Sequence, residues 1–247
     1  MVKLYYWPAR GRAEQIRLVL ADGGVEFEDV NWGLSNIQDE AMKEQFFEDC
    51  RKLGGHTTTN IPMLEMDGKI YTQSSAIIRH VGRITGAYSG CYEEDQLLAT
   101  VEDLRSANYK AMRVFGATEK AIDEYIKVIL PKHLTNFTRL LNQSSAFYLT
   151  GSKCSIADLS LYDALHVVER QVPGTLDKFP RVKLFFDTVG ARPKIKEWVD
   201  SEQRKKLWAF PSIVEEMKGK RGGGTSTHWI AISGVVALTM FMFARKR

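Results

Sequence analysis

Apolar positions along the first 85 residues change period in a fixed order. Val2 to Trp7 is a short apolar, aromatic run ended by Pro8, which predicts a buried strand. From Glu14 to Ala21 the apolar residues Ile16, Leu18, Val19 and Leu20 recur at helical spacing, and Gly23-Gly24 stops them. Val25, Phe27 and Val30 then read as a second strand, so the opening is strand, helix, strand with a parallel crossover. Ile37 to Lys52 is polar and helical in pattern, and Gly54-Gly55 with Thr57, Thr58 and Thr59 marks a loop. Ile61 to Met66 and Lys69 to Tyr71 flank Asp67-Gly68, a hairpin signal. Ser74 opens a further helix through Ile77, Ile78 and Val81, ending near Gly82 or Gly86.

Beyond that point strand signals fade. Helical periodicity is carried by 93–114, 119–141, 155–172, 181–189 and 193–199, separated by turns such as Pro173-Gly174 and Phe179-Pro180. Ser155-Ile156-Ala157-Asp158 has the form of a capping box, in which each side chain satisfies an orphan N–H of the other. This half reads as a helical bundle. The expected divisions are an α+β unit over 1–85, an all-α unit over 88–215, a Gly/Ser/Thr-rich linker over 216–227 and an apolar segment over 228–244.

The chain of 247 residues is 44% hydrophobic and 26% charged, with a formal net charge of +4. These are globular values. Basic and acidic residues are interspersed, which argues against a nucleic-acid partner. Cys50, Cys91 and Cys154 are too few and too scattered for a disulfide framework or a metal site, and they suit a reducing compartment. The first residues lack the apolar core of a signal peptide.

Three features carry chemistry. Tyr6 ends the first strand, where open sheets gather ligands, and its O–H can donate to an anion; equally, it can be one of nine tyrosines packing its ring. Tyr5 would face the opposite way and belong to the core. Gln73-Ser74 opens a helix, where backbone N–H groups and the helix dipole favour a carboxylate, although an N-cap by Ser74 is the simpler role. Pro62 precedes a strand; a cis bond there would free the Ile61 backbone for an extended ligand, whereas a trans bond is the commoner case.

Taken together, Tyr6-Trp7-Pro8-Ala9-Arg10-Gly11-Arg12, Asn60-Ile61-Pro62, Gln73-Ser74 with Ile77-Ile78-Arg79-His80, Glu102-Asp103-Leu104-Arg105 and the Ser155–Asp158 box resemble cytosolic glutathione transferases of the pi/sigma/mu type. The resemblance spans about residues 2–201. It implies a thioredoxin-like N-terminal domain, an all-helical C-terminal domain, a homodimer and glutathione as co-substrate, with no metal. It implies Tyr6 as the catalytic tyrosine with Arg12 near it. Ile61, after Asn60 and before a cis Pro62, would hold the cysteinyl part of glutathione. Gln73 and Ser74 would bind the γ-glutamyl carboxylate, and Asp103 would reach the amino group across the dimer. Trp32 and Lys52 are the candidates for the glycine carboxylate. A departure falls near Arg113, where a second tyrosine is replaced.

The chemistry implied is activation of a thiol. A free thiol titrates near pH 8.5, and lowering it by about two units requires roughly 2.7 kcal/mol. One hydrogen bond to a charged group contributes about 1.5–3 kcal/mol, so the Tyr6 hydroxyl nearly suffices. The thiolate would then attack a hydrophobic electrophile. A glutathione-dependent isomerase or peroxidase acting on lipids, or a non-catalytic binding module, are the alternatives.

Between Gly222 and Ala244 the only ionisable residue is His228. The 20 residues from Thr225 to Ala244 would span about 30 Å as a helix, enough to cross a bilayer, with Trp229 and Arg245-Lys246-Arg247 suited to its two interfaces. A transmembrane tail anchor is expected, with the body in the cytosol. The mitochondrial outer membrane is favoured over the endoplasmic reticulum or peroxisome.

Overall fold

A computed structural model describes residues 1–31, 40–53, 61–144 and 146–215. Trp32, Asn60, the expected linker and the expected membrane tail lie outside the described residues. Among the described residues, no helix is long and apolar enough to cross a membrane.

Four strands form one sheet: β1 (Val2–Tyr6), β2 (Phe27–Asn31), β3 (Met63–Met66) and β4 (Lys69–Thr72), in the order β2-β1-β3-β4. β1 and β2 run parallel and are joined through α1 (Glu14–Asp22), the crossover that a parallel pair needs. β3 is antiparallel to both β1 and β4, and Asp67-Gly68 makes the hairpin turn with positive φ at both residues. The polar segment after β2 contains α2 (Glu40–Lys52), and α3 (Ser74–Thr85) completes this half. α1 and α3 pack together, and Leu4, Ile16, Leu20, Leu64, Ile77 and Val81 are fully buried between sheet and helices. The arrangement is a thioredoxin-like layer.

The regular elements of the second half, among the described residues, are helices: α4 (Tyr92–Lys110), α5 (Glu119–Glu124), α6 (Leu130–Gln143), α7 (Ile156–Gln171), α8 (Pro180–Gly190), α9 (Pro193–Asp200) and α10 (Glu202–Lys205). Three boundaries differ from the periodicity. β2 starts at Phe27, not Val25, because Phe27 already pairs with Val2 and the Val25 N–H is taken by the Leu20 carbonyl. α4 stops at Lys110, where Met112 turns extended before a 3-10 turn at Arg113–Phe115. A π-helical stretch, Tyr125–Ile129, joins α5 to α6. The capping box of α7 forms: Ser155 accepts from the Asp158 N–H, and Asp158 accepts from the Ser155 N–H at 2.9 Å.

The halves are held by charge as well as by apolar packing. Glu14 of α1 is fully buried and accepts from Arg204 Nε at 2.6 Å and Trp198 Nε1 at 3.2 Å. Burial disfavours its charge, but Arg204 and Arg17 outweigh that and hold it below the ordinary carboxylate range. Arg192 grips Asp22 with two hydrogen bonds, at 2.7 and 2.8 Å.

Candidate active site

Sheet register brings one set of chain segments to a common edge. β1 and β2 both end there, at Tyr6 and Asn31. Tyr5 pairs with Met63, so Pro62 follows opposite Tyr6. Met63 pairs with Thr72, so Gln73 follows next to Pro62. Helices α1 and α3 both begin at this edge, which orients two sets of backbone N–H groups toward it.

Tyr6 is 7% exposed, and its hydroxyl oxygen accepts the Arg12 backbone N–H at 3.2 Å. That bond occupies one lone pair and leaves the O–H to point elsewhere. Burial lifts the phenol above its ordinary 10.0, although the Arg12 N–H and the cations Arg12, Arg17 and Arg105 pull the other way. The group therefore stays protonated at neutral pH and acts as a donor. Tyr5 is as buried as Tyr6, and its hydroxyl donates to Glu65 at 2.6 Å. It is a structural residue, as the alternation requires.

The turn that supplies the Arg12 N–H is built for its task. Gly11 has φ +42, and a Cβ there would sit 2.5 Å from the Tyr6 hydroxyl oxygen. Fully buried Arg17 ties this turn down: its Nη1 donates to the carbonyls of Ala9 and Arg10, while its Nε and Nη2 hold Asp29 of β2. The Arg12 side chain meets Glu102 of α4 at 2.7 Å and lies over the Tyr109 ring at 5.7 Å.

The Ile61–Pro62 bond is cis. Ile61 is half-buried and Pro62 buried. Gln73 has φ 69 and ψ 106, a backbone state that costs a non-glycine residue about 1–3 kcal/mol and that gathers at functional sites. Ser74 does not cap α3. It is the first helical residue and is buried, while Gln73 stands at the cap position and makes no side-chain cap hydrogen bond. Lys52 closes α2, exposed, with Asp49 at 3.9 Å. Asp103 is exposed on α4, one residue beyond Glu102. Among the described residues no group of three His, Cys, Asp or Glu could hold a metal.

Several residues at this edge escaped sequence reasoning. Tyr109 of α4 is 7% exposed, and burial pushes its phenol up to about 12, with Arg105, Tyr6 and Arg12 all close enough to act on it. It packs with Phe115 at 5.7 Å and Phe210 at 5.4 Å, and Trp208 meets Phe210 edge to face at 5.0 Å. The segment carrying Trp208 is stitched to the loop after β1: its N–H donates to the Pro8 carbonyl and its carbonyl accepts the Arg10 N–H. This aromatic cluster borders Tyr6 through Tyr109 of the helical half. No local pattern marks Trp208 or Phe210, because Trp208 pairs with Pro8 and Arg10 about two hundred positions earlier and Phe210 packs on Tyr109 about a hundred positions earlier. Arg113, where the resemblance breaks, pairs with Glu119 at 3.1 Å.

The family description "Glutathione S-transferase, N-terminal domain" matches residues 2–83, and "Glutathione S-transferase, C-terminal domain" matches 102–202. The chain is 30% identical over 207 residues to glutathione S-transferase P 10 of Caenorhabditis elegans, covering 83% of this chain and 94% of that protein. Among solved structures, a pi-class glutathione S-transferase of Onchocerca volvulus superposes with a TM-score of 0.71 at 30% identity, covering 83% of this chain and 95% of the other. Prostaglandin synthase D of Nilaparvata lugens superposes with a TM-score of 0.66 at 25% identity, covering 82% of this chain and 98% of the other.

Proposed function

The chain belongs to the glutathione S-transferase family and is a transferase with glutathione as co-substrate; on that premise we propose that Tyr6 activates the glutathione thiol for attack on hydrophobic electrophiles. The observation that carries this is a buried, protonated phenol whose oxygen already accepts the Arg12 N–H, at the sheet edge shared by Pro62, Gln73 and Ser74. Its O–H is left to donate to sulfur. The donor favours thiolate over thiol, so the bound thiol ionises at lower pH. With an aromatic chloride, the thiolate sulfur forms a bond to the ring carbon, the carbon–chlorine bond breaks, chloride leaves and the thiol proton passes to solvent.

Ile61 with Asn60 would hold the cysteinyl backbone of glutathione, and Gln73 and Ser74 its γ-glutamyl carboxylate, which the start of α3 favours. Trp32 and Lys52 would take the glycine carboxylate. The exposed Asp103 would meet the amino group in the partner's site of a homodimer. Tyr109, Phe115, Trp208 and Phe210 supply apolar surface for the electrophile. A second reading, isomerisation or peroxide reduction on lipids, draws support from the likeness to prostaglandin synthase D. Turnover on aromatic halides, enones and lipid hydroperoxides separates the two.

We further propose that the apolar stretch 228–244 anchors the enzyme in a membrane with its body in the cytosol, the mitochondrial outer membrane being favoured over the endoplasmic reticulum or peroxisome. The uncharged run and its basic end support this.

The test of the thiol step is Tyr6→Phe, assayed for conjugation of glutathione to an aromatic chloride against pH. We expect about a tenfold to hundredfold loss at neutral pH, with the rise in rate displaced to higher pH. An unchanged rate and profile would end the assignment.

A further inference from the structure

We infer that Gln15 is a positioning residue for the thiol step, holding the turn whose N–H meets Tyr6 in register with the helical domain. The inference rests on the role of Tyr6 proposed above. Gln15 stands in the first turn of α1 and is 4% exposed. Both ends of its amide are engaged. Nε2 donates to the Arg12 carbonyl at 3.4 Å, and Oε1 accepts from the Ser160 hydroxyl of α7 at 2.9 Å. The Ser160 hydroxyl and carbonyl oxygens each accept from Arg105 Nη2 at 3.3 Å, and Arg105 Nη1 donates to Asp163 at 2.5 Å. Arg105, Ser160 and Asp163 are all buried.

Donation runs one way along this chain. The arginine cation donates to the serine hydroxyl, the hydroxyl donates to the amide oxygen, and the amide N–H donates to the Arg12 carbonyl. An amide that accepts at oxygen donates more strongly at nitrogen, so each bond reinforces the next. Electronic transmission ends at Arg12, because its carbonyl and its N–H belong to different peptide groups. From there the effect is positional: the Gln15 bond fixes one side of Arg12, and the N–H on the other side is held against the Tyr6 oxygen. A small tilt of that turn lengthens a bond that already stands at 3.2 Å.

A buried amide could simply satisfy its neighbours across the two halves, and a stability measurement alone would not tell the roles apart. The test is the pH profile of kcat/KM for conjugation of glutathione to an aromatic chloride, in Gln15→Leu, Tyr6→Phe and the double variant. Leucine keeps the volume and removes both bonds. We expect Gln15→Leu to displace the rise of the profile upward by about half to one pH unit, with about a threefold to tenfold loss at neutral pH. The glutathione KM should change less than about twofold, since Gln15 is assigned no contact with the tripeptide. In the Tyr6→Phe background Gln15→Leu should add no further displacement, because its effect passes through the hydroxyl. An unmoved profile in Gln15→Leu, or an equal loss with and without the Tyr6 hydroxyl, overturns the inference while leaving Tyr6 its role. An unmoved profile in Tyr6→Phe overturns both. Should Gln15→Leu fail to fold, Ser160→Ala breaks the same link from α7; the same displacement supports the inference, and an unmoved profile overturns it.

Discussion

Gly11 and Tyr6 form a matched pair, and the smaller residue decides where the larger can stand. A methyl group at Gly11 would collide with the phenol oxygen and ring, and φ +42 disfavours any side chain there. Gly11→Ala is therefore expected to lower conjugation at least about tenfold, with about 1–2 kcal/mol of stability lost; full activity would show that the hydroxyl can move freely. Glu14 offers a test by pH. Its folded pKa is depressed, so the stability it contributes is complete above its ordinary 4.5 and is lost as pH falls through the lower folded value. Glu14→Gln leaves Arg204 buried beside a neutral group and is expected to cost about 3–5 kcal/mol at neutral pH. Urea unfolding at a series of pH values should show that gap narrowing below pH 4.5. That Tyr6, Arg12, Pro62 and Gln73 meet at one edge was legible, because their surroundings repeat a family order. Gln15 was not, because glutamine in a first helical turn is ordinarily solvated and its Ser160 partner lies 145 positions away.

Explicit end signals in the sequence fix a helix's limits most sharply. Ser155-Ile156-Ala157-Asp158 announced α7, and the reciprocal bonds form. Ser155→Ala is expected to cost about 0.5–2 kcal/mol. Asp158→Ala should cost more, since Asp158 is fully buried and also accepts the Leu149 N–H at 2.7 Å. Denaturant midpoints of the two variants give the order, and equal costs would contradict it. Where an element's limit depends on a partner, the pattern misled. Val25 looks like strand, but the ladder opposite ends at Val2 and its N–H caps α1. The π-helical stretch between α5 and α6 left no periodic mark either. Tyr125 there accepts from Asn108 of α4 at 2.8 Å, a tertiary contact that periodicity does not record.

At the scale of the molecule, the sheet gathers Tyr6, Ile61, Pro62, Gln73 and Ser74 at one edge, and the helical half closes over it through Glu102, Tyr109 and the segment bearing Trp208. The division into two halves was visible in the change of period near residue 85; their docking through Glu14, Gln15 and Asp22 was not, since ion pairs and hydrogen bonds across long separations have no linear signature. If the apolar stretch anchors the enzyme, deleting residues 222–247 should move it from the membrane pellet to the soluble fraction with conjugation intact; persistence in the pellet would contradict the anchor. The most direct measurement of the central claim is a spectroscopic titration of the thiolate of enzyme-bound glutathione. In the unaltered protein its midpoint should fall about one to two units below that of free glutathione, and in Tyr6→Phe it should return most of the way. A bound thiol that titrates like the free tripeptide, or identically in both proteins, would contradict it.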